Sequence, residues 1–168
     1  MPQLTIIGIG SPFADDMAGW CVADALSSSR QIASYHGRVA VAICRSPGSE
    51  LLGLLADTDI AIVVDAVCYG GAPGTVYRLS SLQSSSSVTE FLSSHGLDLQ
   101  TLFTLADTLE ISPKMMVIYG IEAGPGNGKN TMLSQDVQRA VVRVADDIKR
   151  DIEHYCGEAR PKPWFSDM

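Results

Sequence analysis

The stretch that sets the fold lies near the amino terminus and reads LTIIGIGSPFADDMAG over residues 4–19. A short apolar run rich in β-branched residues leads into Gly-x-Gly, and two adjacent aspartates follow. Such a run ending in glycine predicts a buried strand. Asp15 or Asp16 can then cap a helix that continues to about Leu26, and we predict that Asp15 is the cap.

Gly-x-Gly after a strand is typical of dinucleotide-binding folds, but the rest of that fingerprint is missing. G-x-G-x-x-G needs a third glycine where this chain has Phe13, and Cys44 and Arg45 replace the acid expected after the second strand. Adjacent aspartates would also repel a pyrophosphate. Residues 124–130 (GPGNGKN) imitate a phosphate loop but lack its first glycine and its final hydroxyl. Both places therefore argue against nucleotide binding.

Strands and helices alternate along the remainder of the chain. The apolar pattern predicts strands over residues 39–43, 60–64, 75–79 and 115–119, and helices over residues 48–55, 97–109 and from 134 onward. The strand at 75–79 follows the preceding strand too closely for a helical crossover, so we expect an antiparallel edge strand.

This order of elements predicts an α/β fold. We expect a three-layer domain with a mostly parallel twisted sheet of about five strands, one antiparallel edge strand, and helices on both faces. The domain should span residues 1–155, followed by a tail over residues 156–168. The serine-rich residues 80–94 are predicted to form a mobile loop or a frayed helix.

Charge and composition exclude several classes of function. The formal net charge is −7 and no basic cluster occurs, so we expect no nucleic-acid partner. No apolar run approaches the roughly 20 residues that span a bilayer, and no signal peptide is recognisable. The four cysteines form no C-x-x-C pair and are expected to be reduced thiols. We therefore expect a cytoplasmic monomer with no membrane contact.

Ligands of α/β sheets bind at the carboxyl ends of the strands. The stretches that follow the predicted parallel strands should therefore meet at one edge of the sheet; these are residues 10–16, 44–46, 65 and 120–122. The edge should carry any chemistry that the chain performs.

Three residues stand out as candidate site residues, because the sequence has no G-x-S-x-G elbow and no H-E-x-x-H motif. They are Asp16, Asp65 and His95, an oxygen and nitrogen donor set that suits a borderline divalent metal such as nickel, zinc or iron. Each also has an ordinary explanation. Asp16 can be a helix cap, Asp65 the end of a strand, and His95 a solvated loop residue.

Four stretches occur in register between about residues 4 and 155 of the chain. They are GIGSPFADDMAG at 8–19, IAIVVDAVCYGGAPGTVYRL at 60–79, SSHGLDL at 93–99 and VIYGIE at 117–122. Together they resemble the hydrogenase maturation endopeptidases, which process the large subunit of nickel–iron hydrogenases.

The resemblance implies a function and its residues. An endopeptidase of this family removes a C-terminal peptide from the large-subunit precursor after nickel insertion, and the precursor's nickel is the recognition element. The metal-contacting acid falls on Asp16, where many members have glutamate, the acid that closes the third strand falls on Asp65, and the histidine falls on His95. Another divalent metal could occupy the same residues in the isolated protein. The resemblance leaves the attacking group open.

The chain departs from the family after the second strand, where members usually carry an aspartate. Here the stretch is Cys44-Arg45-Ser46-Pro47. We predict that Arg45 pairs with Asp16 or Asp65 and competes with metal. If the missing aspartate assists cleavage, the protein is slow, differently tuned or inactive. The alternative function is therefore a non-catalytic assembly factor that binds the hydrogenase precursor or its metal centre.

Overall fold

The computed structural model of the chain describes residues 1–81, 99–125 and 131–157. These residues contain the strands β1 (Leu4–Ile9), β2 (Val39–Cys44), β3 (Ile60–Val67), β4 (Val76–Ser81) and β5 (Met115–Glu122). They form one sheet in the order β2-β1-β3-β5-β4. All neighbouring pairs are parallel except β4 with β5, so β4 is the antiparallel edge strand that was predicted.

Helices cover both faces of this sheet, which confirms the three-layer α/β fold. They are α1 (Ala18–Ser27), α2 (Arg30–Ala33), α3 (Ser49–Ala56), α4 (Leu99–Thr108) and α5 (Gln135–Cys156), and a short 3-10 helix over Ala14–Met17 precedes α1. The pleat sends alternate side chains to opposite faces. Ile6 therefore packs in one core with α1, α2 and α5, whereas Ile7 packs in a second core with α3 and α4. Each fully buried aliphatic side chain contributes about 1.5–3 kcal/mol.

The beginning of α1 lies very close to the sheet because glycines meet there. A Cβ added at Gly8 would lie 2.2 Å from the carbonyl oxygen of Gly19. A Cβ added at Gly19 would lie 2.1 Å from the carbonyl oxygen of Ile9 and 2.5 Å from that of Val64. The two glycines therefore let the start of α1 rest directly on the ends of β1 and β3.

β3 and β5 each extend three residues beyond their predicted ends. β3 and β5 pair with each other from Ile60↔Met115 as far as Val67↔Glu122, whereas the pairing of β1 with β3 stops at Gly8↔Val64. Asp65 therefore lies within β3 instead of closing it. The expectation that Asp65 ends the strand is wrong because the longer neighbour β5 extends the ladder.

Several predictions concern residues outside the described ranges. Of the serine-rich segment, Ser80 and Ser81 belong to β4, and the rest of it and His95 lie outside the described residues. Most of the predicted tail also lies outside them, after α5 ends at Cys156. Across the described part of the chain, no helix combines the length and the apolar character that crossing a membrane requires.

Candidate active site

The segments that follow the four parallel strands leave the sheet at one edge. Ile9 at the end of β1 is paired with Cys44 at the end of β2, and Val67 at the end of β3 is paired with Glu122 at the end of β5. We call this edge, formed by these four residues, the carboxyl edge. The prediction that residues 10–16, 44–46, 65 and 120–122 share one edge is confirmed.

Asp16 is brought to the carboxyl edge by a tight turn. Its half-buried side chain lies in the 3-10 helix, and its carboxylate accepts a hydrogen bond from Ser11 Oγ. The backbone N–H of Ser11 donates to the carbonyl oxygen of Asp16 over 3.3 Å. A Cβ at Gly10 would lie 2.6 Å from that same oxygen, so the turn requires glycine. The Gly-x-Gly turn therefore positions the carboxylate of Asp16 at the carboxyl edge.

Asp65 is fully buried at the same edge. It lies opposite Gly120 of β5, one residue beyond the last pairing of β3 with β1. Burying a carboxylate is costly unless other groups compensate its charge. A buried ionisable group at the carboxyl end of a central strand is therefore a strong candidate for a functional residue.

Asp16 and Asp65 both lie close enough to the thiol of Cys68 to raise its pKa. Partial desolvation raises the pKa of Cys68, and the negative charges of Glu122, Asp16 and Asp65 raise it further. Charges act on a thiol in this way only from nearby, since water and salt screen distant ones. We call the surroundings of the Cys68 thiol, which contain the carboxylates of Asp16, Asp65 and Glu122, the acidic region. Because Cys68 is exposed, this region opens to solvent. Sequence reasoning did not select Cys68, because a lone cysteine carries no motif.

Asp15 does not cap α1, so that prediction is wrong. The N-cap residue of α1 is Met17, with no side-chain cap hydrogen bond. The buried Asp15 carboxylate instead accepts hydrogen bonds from the backbone N–H of Gly124 (2.8 Å) and from the N–H (2.7 Å) and hydroxyl (2.9 Å) of Ser134. Asp15 thereby ties the segment after β5 and the start of α5 to the turn that carries Asp16.

Glu122 has a similar role on the other side of the site. Its buried carboxylate accepts hydrogen bonds from the backbone N–H groups of Tyr69 and Gly70, both at 2.9 Å. This holds the connection between β3 and β4 against the carboxyl edge. Asp15 and Glu122 therefore hold loops in position through backbone N–H groups. Asp16 and Asp65, the other two acids at this edge, lie near Cys68.

An acid that was not predicted to lie at this edge, Glu50, contacts the end of β2. Glu50, in the first turn of α3, points back so that its Oε2 accepts hydrogen bonds from the backbone N–H of Arg45 (3.0 Å) and Ser46 (2.9 Å). Burial, together with the nearby Glu50 carboxylate, raises the pKa of Cys44 to about 12. The Cys44 thiol is therefore protonated at neutral pH, and its Sγ lies 3.7 Å from Glu50 Oε2.

Arg45 does not take the position that was predicted for it. Its guanidinium lies over the indole of Trp20, with Cζ 5.7 Å from the ring centroid. Among the ion pairs formed by the described residues, none joins Arg45 to Asp16 or Asp65. An exposed guanidinium gains from the aromatic face while it stays hydrated, and this is why it does not turn into the acidic region.

Of the three predicted site residues, the structure describes two. Asp16 and Asp65 supply oxygen donors of the kind that divalent cations accept. Within residues 1–81, 99–125 and 131–157, no group of three or more His, Cys, Asp or Glu side chains is arranged to hold a metal ion. The assignment of His95 as the third ligand stays a prediction.

Comparison with known proteins gives a consistent family. The fold is similar to the hydrogenase maturating endopeptidase HybD from E. coli, with a TM-score of 0.74, 21% identity, and coverage of 92% of this chain and 93% of that one. It is also similar to a nickel–iron hydrogenase maturation protease from Thermococcus kodakarensis, with a TM-score of 0.66, 22% identity, and coverage of 90% and 92%. A hydrogenase 2 maturation peptidase from a Thaumarchaeota archaeon has a TM-score of 0.65, 21% identity, and coverage of 93% and 99%.

At these identities the structural matches show the fold alone. No curated protein sequence matches the chain significantly. The family model described as hydrogenase maturation protease matches residues 46–151, which is well over half of the chain. The chain therefore belongs to the hydrogenase maturation protease family and is a maturation endopeptidase.

Proposed function

We propose that this endopeptidase removes the C-terminal extension of a nickel–iron hydrogenase large-subunit precursor after nickel has been inserted. Asp16, Asp65 and His95 recognise the nickel that the precursor carries. The observation that supports this most directly is geometric: Asp16 lies in the turn after β1, and the buried Asp65 lies near the end of the neighbouring parallel strand β3, at the same carboxyl edge. Family membership supports the class of reaction.

The two carboxylates suit different parts of this task. Asp65 is fully buried in β3 and lacks freedom to move, so it suits the role of a fixed ligand. Asp16 is half-buried and steadied by Ser11, so it remains within reach of a docking protein. Peptide hydrolysis needs a base that takes a proton from the attacking water. In this proposal Asp16 or Asp65 takes that proton.

Recognition of a metal held by another protein favours an incomplete site. Structural metal sites are closed by four protein ligands, whereas sites that exchange or share a metal keep positions open. Two aspartates and one histidine leave such positions for groups of the precursor. We therefore expect the purified protein to be largely metal-free, and to bind nickel-loaded precursor far better than nickel-free precursor.

The direct test mixes the purified protein with nickel-loaded precursor and follows the precursor by mass spectrometry. A mass loss equal to a C-terminal fragment is expected, with none for nickel-free precursor. Asp65→Asn should slow cleavage by about 10²–10⁴-fold if Asp65 is the base or a metal ligand, and His95→Ala should abolish the preference for nickel. His154→Ala, an exposed histidine on α5, is the matched control. Equal cleavage of nickel-loaded and nickel-free precursor would reject the proposal.

A non-catalytic assembly factor is the second candidate function. It is favoured by one observation: where family members usually carry an aspartate after β2, this chain has Cys44 and Arg45, and the nearby Glu50 is bound to backbone amides. The same experiment separates the two functions. An assembly factor binds the nickel-loaded precursor stoichiometrically and leaves its mass unchanged.

A further inference from the structure

Arg45 carries a positive charge at an edge of the sheet where the other charged residues are acidic. The described residues that leave the carboxyl edge are 10–17, 45–48, 68–75 and 123–125, and Arg45 is their only basic residue. The carboxylates of Asp16, Asp65 and Glu122 dominate the rest of this region. An anionic group of a bound peptide is repelled by these acids, and Arg45 is the described position at the edge that attracts it.

The side chain of Arg45 is held in place by Trp20. The indole Nε1 donates a hydrogen bond to the carbonyl oxygen of Cys44 over 3.1 Å, so the ring is fixed to the end of β2. A Cβ at Gly10 would lie 3.1 Å from Trp20 Cδ1 and 2.6 Å from the Asp16 carbonyl oxygen. Trp20 thus connects Arg45 with the turn that presents Asp16.

The guanidinium of Arg45 keeps its donors available. Contact with an aromatic face orients a guanidinium without using its N–H groups. The backbone of Arg45 is fixed separately, because Glu50 Oε2 accepts hydrogen bonds from the backbone N–H groups of Arg45 and Ser46 and from the Cys44 thiol. Within the described residues the Arg45 side chain forms no ion pair. The result is an exposed, oriented fork of donors that matches a carboxylate.

We propose that Arg45 and Trp20 form a subsite that binds a carboxylate of the precursor's C-terminal extension. This inference rests on the proposed function. The extension contains the C-terminus of the precursor and therefore always ends in a carboxylate. Pairing with Arg45 directs the extension from the scissile bond at Asp16 and Asp65 toward the end of β2, and keeps its negative charge away from those acids. Arg45 therefore determines the direction and the specificity of peptide binding.

The test compares Arg45→Gln with Arg38→Gln. Arg38 is a matched control, because its guanidinium also lies 5.7 Å from an aromatic centroid, that of Tyr35, but it precedes β2 at the opposite end of the strand. Cleavage of nickel-loaded precursor should show KM about tenfold higher for Arg45→Gln with kcat unchanged, as expected for one lost charge-assisted hydrogen-bonded pair. Arg45→Lys should lie between the two, and Arg38→Gln should match the wild type.

Two modified precursors identify which carboxylate is bound. One has its terminal carboxylate converted to an amide, and the other has the acidic side chains of its extension replaced by their amides. The modification that removes the bound carboxylate should raise the wild-type KM about tenfold and leave KM for Arg45→Gln unchanged. Terminal and side-chain carboxylates are distinguished by which precursor shows this pattern.

The outcomes separate this inference from the proposed function. If the wild type cleaves and Arg45→Gln has an unchanged KM on all precursors, the subsite is wrong while the proposed function stands. If the wild type binds without cleaving, the same ratios are read from Kd, and an unchanged Kd for Arg45→Gln rejects the subsite. If the wild type neither binds nor cleaves the precursor, the proposed function and the subsite fall together.

Discussion

Replacing Gly19 with alanine tests the contact on which the geometry of the site depends. The added Cβ would lie 2.1 Å from the Ile9 carbonyl oxygen and 2.5 Å from the Val64 carbonyl oxygen, and real Cβ contacts essentially never fall below 3.0 Å. Both obstructing atoms belong to backbone within strands, so neither can rotate away. The start of α1 must therefore move from the sheet by roughly 1 Å, and it carries the Asp16 turn with it.

The magnitude follows from two opposing effects. Forcing an extra methyl into a packed interior costs about 1–3 kcal/mol, and rigid backbone on both sides points to the upper end of that range. Alanine regains about 1 kcal/mol of helix propensity over glycine. The net loss in the free energy of unfolding is therefore about 2 kcal/mol, which for a protein of this size lowers Tm by about 4–8 °C.

Thermal unfolding followed by circular dichroism measures this change, and Gly53→Ala is the matched control. Gly53 lies in α3, and a Cβ there would have no atom within 4 Å. The control should gain about 1 kcal/mol and raise Tm by about 2–4 °C. Cleavage by Gly19→Ala at a temperature where it is folded should be strongly reduced, whereas Gly53→Ala should retain activity. A Gly19→Ala protein that melts at or above the wild-type Tm would refute the close approach.

Two further predictions concern the acids beside Gly-x-Gly. Asp15→Ala leaves three donors without their carboxylate and should lower the free energy of unfolding, measured by urea titration, by about 2–4 kcal/mol. A loss no larger than that of the exposed control Asp24→Ala would contradict the role of Asp15 in holding Gly124 and Ser134. Asp16→Asn removes a charge that raises the pKa of Cys68, so the thiolate fraction and the alkylation rate of Cys68 at about pH 8 should rise. Cys21, whose pKa is raised by burial and by Asp24, is the internal control, and an unchanged rate at Cys68 would place Asp16 elsewhere.

Much of the fold could be read from local patterns. The apolar run at residues 4–9, the alternation of strands and helices, and the short connection before β4 were enough for a parallel sheet with one antiparallel edge. These features are local because the period of side-chain burial and the length of a connection are written in consecutive residues. The same holds for the placement of Asp16 and Asp65 at one edge of the sheet, since adjacent parallel strands end at the same edge.

The partners of individual side chains were beyond such reasoning. Asp15 binds Gly124 and Ser134, more than a hundred residues away, although its place before a helix favoured a cap. Arg45 rests on Trp20, although its place beside two acids favoured an ion pair. In both cases several partners were chemically equivalent, and only tertiary packing determines which one a side chain reaches. A typical hydrogen bond contributes only about 1 kcal/mol net, so the packing of the hydrophobic residues largely decides which polar groups come within reach of each other.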